Sequence, residues 1–202
     1  MNLKFNKFKA IKDKHRLLLE LENLTSKIDF NSYQKKVKET LILNLQDWEK
    51  IVPKSEEHPK LDVLLFEYDT TWWKSRQAHV YGIYNWEGYQ LSEGLVNLDT
   101  PYEIVEQLEH FPSFTLDFYD CFSLLDEDEK VEQVYVLERS GYYDLDGFDE
   151  LNEYIYLKGC LAIHDALDEL NEDGCLGNLN LKNQAMIVIG EHGMEERCLF
   201  IV

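Results

Sequence analysis

The chain has 202 residues, 45% of them hydrophobic and 13% aromatic, with 10 Gly and 4 Pro, and this excludes collagen-like, low-complexity and generally disordered chains. It carries 20 Lys+Arg against 39 Asp+Glu, a formal net charge of −19, which argues against a general nucleic-acid binder and against a protein held on anionic membranes. At this length a core buries about 70% of the unfolded surface, so one domain over 1–202 needs neither disulfide nor metal.

In chain order, Leu3, Phe8, Ile11, Leu18, Leu21 and Leu24 predict a helix over 3–24. Asn31 with Gln34 reads as a capping box, and Tyr33, Val37, Leu41, Leu45 and Trp48 then mark one face of an amphipathic helix that ends before Pro53. Leu61 to Tyr68 is apolar on both faces, the pattern of a central strand, and 79–86 is a second strand reached through a polar connection at 69–77. Thr100, Pro101 and Glu103 spell a helix start, with a stop before Pro112. Phe114, Leu116 and Phe118 alternate as a strand does; 126–129 reads as an acidic turn and 131–138 as another strand. Asp149 opens a long helix with acids in its first turn, and Gly174 stops it. The stretches 185–190 and 198–202 form a closing hairpin. The element order does not alternate strictly. It predicts an α+β fold, with a mostly antiparallel central sheet, N-terminal helices and a long helix before the C-terminal hairpin.

Charge is unevenly spread. Residues 1–60 carry a net +4 and residues 61–202 a net −23. The expectation is one domain, in which a mildly basic helical segment at 1–52 packs on an acidic α/β body at 61–202. The basic N-terminus lacks the apolar core of a signal peptide, and no apolar run approaches the roughly 20 residues of a spanning helix. Cys121, Cys160, Cys175 and Cys198 show no Cys-x-x-Cys spacing and read as buried free thiols of a cytoplasmic protein.

The common chemical motifs are missing. Neither dinucleotide nor P-loop glycine patterns occur, and there is no Gly-x-Ser-x-Gly. Asp144, Asp146, Gly147, Asp149 and Glu150 only faintly resemble a calcium loop and read better as a turn and helix start. His164 and Asp168 share a helix face, but two ligands make no metal site. Cys160 near His164 is mid-helix in an acidic body, a setting that raises a thiol pKa. Carboxylate pairs are too abundant to single one out. No catalytic residue, metal or cofactor is assigned.

One signal stands above this background. Residues 141–173 carry a net −9, with aromatic side chains set among the acids. Asp144, Asp146, Asp149, Glu150 and Glu153 with Tyr142 and Tyr143 form a candidate surface for a cationic protein partner, since carboxylates steer and aromatic rings anchor. Trp72 and Trp73 are a second candidate pair for that partner. The plain alternative is a solvated helix face, with the tryptophans capping the core.

The order of elements, with N-terminal helices before Val63–Tyr68 and the closing hairpin Met186–Val202, resembles the immunity proteins of bacterial polymorphic-toxin and contact-dependent inhibition systems. That resemblance implies a cytoplasmic protein that binds a cognate toxin, often a basic nuclease, and blocks its active site or an adjacent surface. Two other classes stay open: a carboxylate- or metal-dependent hydrolase using His79, His110, His164 or His192, and an interaction domain of unrelated purpose. Nothing in the chain sets an oligomeric state.

Overall fold

A computed structural model describes residues 2–12, 14–69, 77–87, 91–98, 101–109, 111–118 and 145–202. Among them are four α-helices, α1 (Asn2–Ala10), α2 (Arg16–Thr25), α3 (Phe30–Ile51) and α4 (Phe148–Glu172). The strands are β1 (Leu61–Tyr68), β2 (Gln77–Tyr84), β3 (Leu91–Ser92), β4 (Leu95–Val96), β5 (Glu103–Ile104), β6 (Phe111–Thr115), β7 (Leu181–Glu191) and β8 (Glu196–Ile201). The fold is α+β. The chain divides into two compact units: Met1–Asn31 with Asp117–Ala162, and Ser32–Leu116 with Ile163–Val202.

In the first unit, Phe8, Leu17, Leu18 and Leu21 bury against Phe148, Leu151 and Ile155. The helix predicted over 3–24 is two helices. The polar stretch between Ile11 and Arg16 breaks it, and His15 caps α2 by accepting from the Leu17 N–H through Nδ1 (3.2 Å). Gly147, just before α4, has φ +96° and lies against Phe8 and Ile11, so a Cβ there would strike the Ile11 side chain.

In the second unit, α3 buries the predicted stripe of Tyr33, Val37, Leu41, Leu45 and Trp48. Trp48 meets Phe66 of β1 and Phe111 of β6 at ring distances of 6.3 and 6.2 Å. Asp29, rather than the predicted Asn31, caps this helix, its carboxylate accepting from the Asn31 N–H (3.1 Å). The sheet has eight strands in the order β3-β4-β8-β7-β1-β2-β5, with β6 also on β2. The β1–β7 pair is parallel and every other pair antiparallel, so the sheet is mostly antiparallel, as the sequence predicts. Val63, Leu65, Tyr81, Ile83, Met186 and Val188 build the core on one face; Phe66 and Phe114 lie on the other, ring to ring at 4.9 Å.

The helix predicted after Thr100 does not form. Glu103 and Ile104 pair instead with Tyr84 and Ile83 of β2, and the Glu103 carboxylate accepts from the Asn85 side chain (3.1 Å). A good local helix start loses here to a sheet edge that needs a partner. The predicted strand at 114–118 lies slightly earlier, as β6. The predicted turn at 126–129 and strand at 131–138 fall outside the described residues. Cys160 is buried, whereas Cys175 and Cys198 are half-buried free thiols.

Asn180 fixes the entry into both central strands. Its side-chain amide donates to the carbonyls of Ser55, His58 and Pro59 (2.9, 2.8 and 3.2 Å). Its backbone carbonyl accepts from the Leu61 N–H (2.8 Å), where β1 begins. Asn180→Ala strands these carbonyls in a site that is 97% buried and is expected to cost about 2–3 kcal/mol in urea unfolding. Asn180→Asp is expected to cost more, because a carboxylate would face the same three oxygens.

Candidate functional site

The parallel pairing sets β1 and β7 ending side by side. Val63, Leu65 and Glu67 alternate onto the core face of β1, so the third of these puts a carboxylate at the strand's end, where apolar packing stops. Just past β7, the His192 N–H donates to the Tyr68 carbonyl (2.9 Å). The His192 Nδ1 then lies 3.1 Å from Glu67 Oε1. From β2, Tyr81 stands across from Leu65 and hydrogen-bonds the same carboxylate. Glu67 is thus held between a phenol and an imidazole.

More acids and a second phenol surround this group. Gly190 of β7 has no Cβ, and Glu196 of β8 lies over it; a Cβ there would come within 2.9 Å of the Glu196 Cγ. Burial pushes the Tyr81 phenol well above the usual tyrosine value, and the negative charge of Glu67 and then Glu109 adds to this. Burial also raises Tyr102, helped by Glu196 and Glu67. The hydrogen bond to Glu67, then its charge and that of Asp69, raise His192. The phenols therefore stay neutral. Tyr102 and Met194, which follows His192 by two residues, are exposed (37% and 64%). The arrangement offers an exposed aromatic ring inside a negative field, chemistry that suits an ammonium or guanidinium group.

The acids predicted from sequence sit elsewhere. Asp149 and Glu150 occupy the first turn of α4, with Asp146 just before it and Glu153 one turn on. Asp146 and Asp149 are exposed, while Glu150 and Glu153 are half-buried. The structure thus gathers these four at one helix end, where the dipole favours them. Asp144, Tyr142, Tyr143, Trp72 and Trp73 lie outside the described residues. Further along α4, Glu169 and Asp173 are answered from within: Lys38 of α3 reaches them at 2.8 and 3.0 Å, and Gln34 donates to Glu169 (2.7 Å). His164 donates from Nδ1 to the Leu199 carbonyl (2.8 Å) and packs on Phe200, a structural post.

Among the described residues no group of three or more His, Cys, Asp and Glu is placed to hold a metal ion, and no helix is long and apolar enough to cross a membrane. Comparisons with family models, curated proteins and solved structures find no match.

Sequence reasoning passed over Glu67, Tyr81, Tyr102, Glu109 and Glu196 as a group. The readable signal was an acid that follows the apolar run Val63–Phe66 near the end of a strand, and a histidine in the hairpin turn. Because its folded-state pKa is raised, the His192 contribution to stability is fully present below the ordinary histidine value of 6.5 and is lost as pH rises through the raised value. A proton NMR titration is expected to place His192 above 6.5 in the native protein, and Glu67→Gln is expected to return it toward that value.

Proposed function

We propose that this is a cytoplasmic acidic binding protein that occludes a basic protein partner, in the manner of the immunity proteins its element order resembles. The observation that carries the reading is the end of the β1–β7 pair. There the charges of Glu67 and Glu109 act on Tyr81, and those of Glu196 and Glu67 on Tyr102, which is exposed. An exposed tyrosine set among carboxylates is the kind of side chain that anchors an interface, with charge supplying speed and register. The net −23 over residues 61–202 extends the same field. The acidic start of α4 is a second surface of the same sign.

The test begins with capture on the tagged protein from its native cell, elution by rising salt and identification by mass spectrometry. One basic protein, whose own toxic or enzymatic activity the captured chain abolishes at equimolar ratio, is the expected result. No basic partner, together with turnover of a small molecule by the chain itself, would move the function to the hydrolase class. With the partner in hand, Glu109→Lys with Glu196→Lys is expected to weaken binding by at least about tenfold, mainly through the association rate and most strongly at low salt. Glu56→Lys with Glu57→Lys, in the exposed turn before β1, is expected to leave affinity within about twofold. Loss of affinity on reversing Asp146 and Asp149, with none on reversing Glu109 and Glu196, would instead centre the interface on α4.

A further inference from the structure

Strand β1 carries two acids, Asp62 and Glu67, and each meets a basic side chain from the β7 side of the parallel pair. The Lys182 ammonium donates to both oxygens of Asp62 (2.7 and 2.8 Å). Glu67 has instead His192, at 3.1 Å, and the Tyr81 phenol; among the described residues no lysine or arginine reaches it. A lysine holds its charge through the physiological range. An imidazole gives its charge up within that range. One carboxylate of the strand is thus closed by a permanent cation and the other by a removable one.

The setting of His192 lets that contact open while the fold stays intact. Its backbone is fixed where its N–H donates to the Tyr68 carbonyl, and the Met194 N–H closes the turn on the Glu191 carbonyl (both 2.9 Å). The side chain itself is 74% exposed, so rotation about its own bonds carries the ring into water. The Glu67 side chain is 24% exposed with the imidazole in place, which leaves an approach for an incoming cation. The neighbours on each element are acidic or titratable. Asp69 follows at the end of β1 and adds to the pull on the His192 proton. From β2, His79 stands directly across from Glu67, and Tyr81 hydrogen-bonds it. Glu191 ends β7, and Glu196 of β8 lies over Gly190, the residue paired with Glu67. Among the described residues, His192 is the one that both touches Glu67 and takes a positive charge.

We propose, building on the binding role inferred above, that Glu67 is the point where the partner's lysine or arginine docks, and that His192 is a built-in stand-in for that cation. Docking displaces the imidazolium from the carboxylate, and the proton leaves His192 for the solvent. Linkage then sets the pH dependence. In the free chain Glu67 holds the His192 pKa above 6.5. With a guanidinium or ammonium on Glu67 the same ring loses its counter-charge and lies beside a positive group, so its pKa falls. Affinity therefore climbs as pH rises toward the raised free-chain value and is level above it. By reciprocity the cation lowers proton affinity by the same factor.

The probe is an acetylated tri-arginine amide, whose charge is constant from about pH 5.5 to 8.5. It is titrated into the full chain at low, constant ionic strength, while the His192 ring is followed by proton NMR. Saturable binding at least about threefold tighter at pH 8 than at pH 6 is expected, with the His192 pKa lowered at saturation. The tri-citrulline peptide, its neutral isostere, is expected not to bind. His192→Ala is expected to bind the arginine peptide equally at the two pH values. Glu67→Gln is expected to bind at least about threefold more weakly at pH 8 and to lose the pH dependence. Equal wild-type affinity at both pH values, an unmoved His192 pKa, a pH dependence that survives in His192→Ala, or full affinity in Glu67→Gln would each overturn the proposal. So would a peptide that fails to bind. With the captured partner, a flat pH profile overturns the stand-in role of His192 and leaves the binding function standing. Capture of no basic protein at either pH counts against the binding function itself, and the peptide result is read separately from it.

Discussion

Everything in the sheet depends on the parallel pairing of β1 with β7. It runs in register from Val63 against Met186 to Tyr68 against Glu191. Both strands are buried on both faces through this stretch, which is where parallel pairs are found. The other strands are laid outward from it, β2 from one side and β8 from the other. Such a pairing joins segments separated by more than half the chain, so its loop-closure entropy must be met before its contacts repay it. The two ends of the pair show how it is secured. At one end Asn180 binds the incoming turn at three carbonyls. At the other, His192 continues the ladder to Tyr68 and meets the Glu67 side chain. The candidate binding surface is a direct product of this constraint, because Glu67 and His192 meet only if β1 and β7 end side by side.

Legibility followed the range of the forces involved. The α3 stripe could be read from Tyr33 to Trp48 because one helix face repeats locally. The two-faced apolar pattern of Leu61–Tyr68 marked β1 as central for a similar reason. The long α4 and the hairpin of β7 and β8 were readable from their first-turn acids, glycine stop and apolar runs. The pairing partner of β1 was not, since no local pattern in Met186–Glu191 names Val63–Tyr68 as its neighbour. Glu103 shows the converse failure: its capping box was sound local chemistry, overruled by Tyr84 and Asn85 on a strand that needed an edge. The candidate surface was hidden because its members come from β1, β2, β8 and the loops between them.

The described carboxylates are met in two chemically different ways. Glu169 and Asp173 have Lys38, and Asp62 has Lys182 at 2.7 Å. Pairs this exposed contribute about 0–1 kcal/mol each, so their main effect is to cancel field locally. Around Glu67 the second central-strand donor is a phenol, which supplies a hydrogen bond and no positive charge. Burial keeps that phenol neutral, so the negative potential there is left standing by the hydrogen bond that orders it. His192 loses its charge as pH rises through its raised value, which strengthens the negative field rather than relieving it.

The different make-up of the two faces of one sheet then follows from strand alternation. Phe66 and Glu67 are adjacent, so their side chains point to opposite faces. The Phe66 face is covered by α3, which brings residues of the basic N-terminal third of the sequence, Lys36 among them, against β6. The Glu67 face looks onto Glu196 and Glu109 from the acidic remainder. A slip of β1 by one residue would bury Glu67 against the α3 side and lift Phe66 out of its contacts with Trp48 and Phe114. The register that packs Phe66 is therefore the same register that presents the carboxylate, and core and binding surface are selected together.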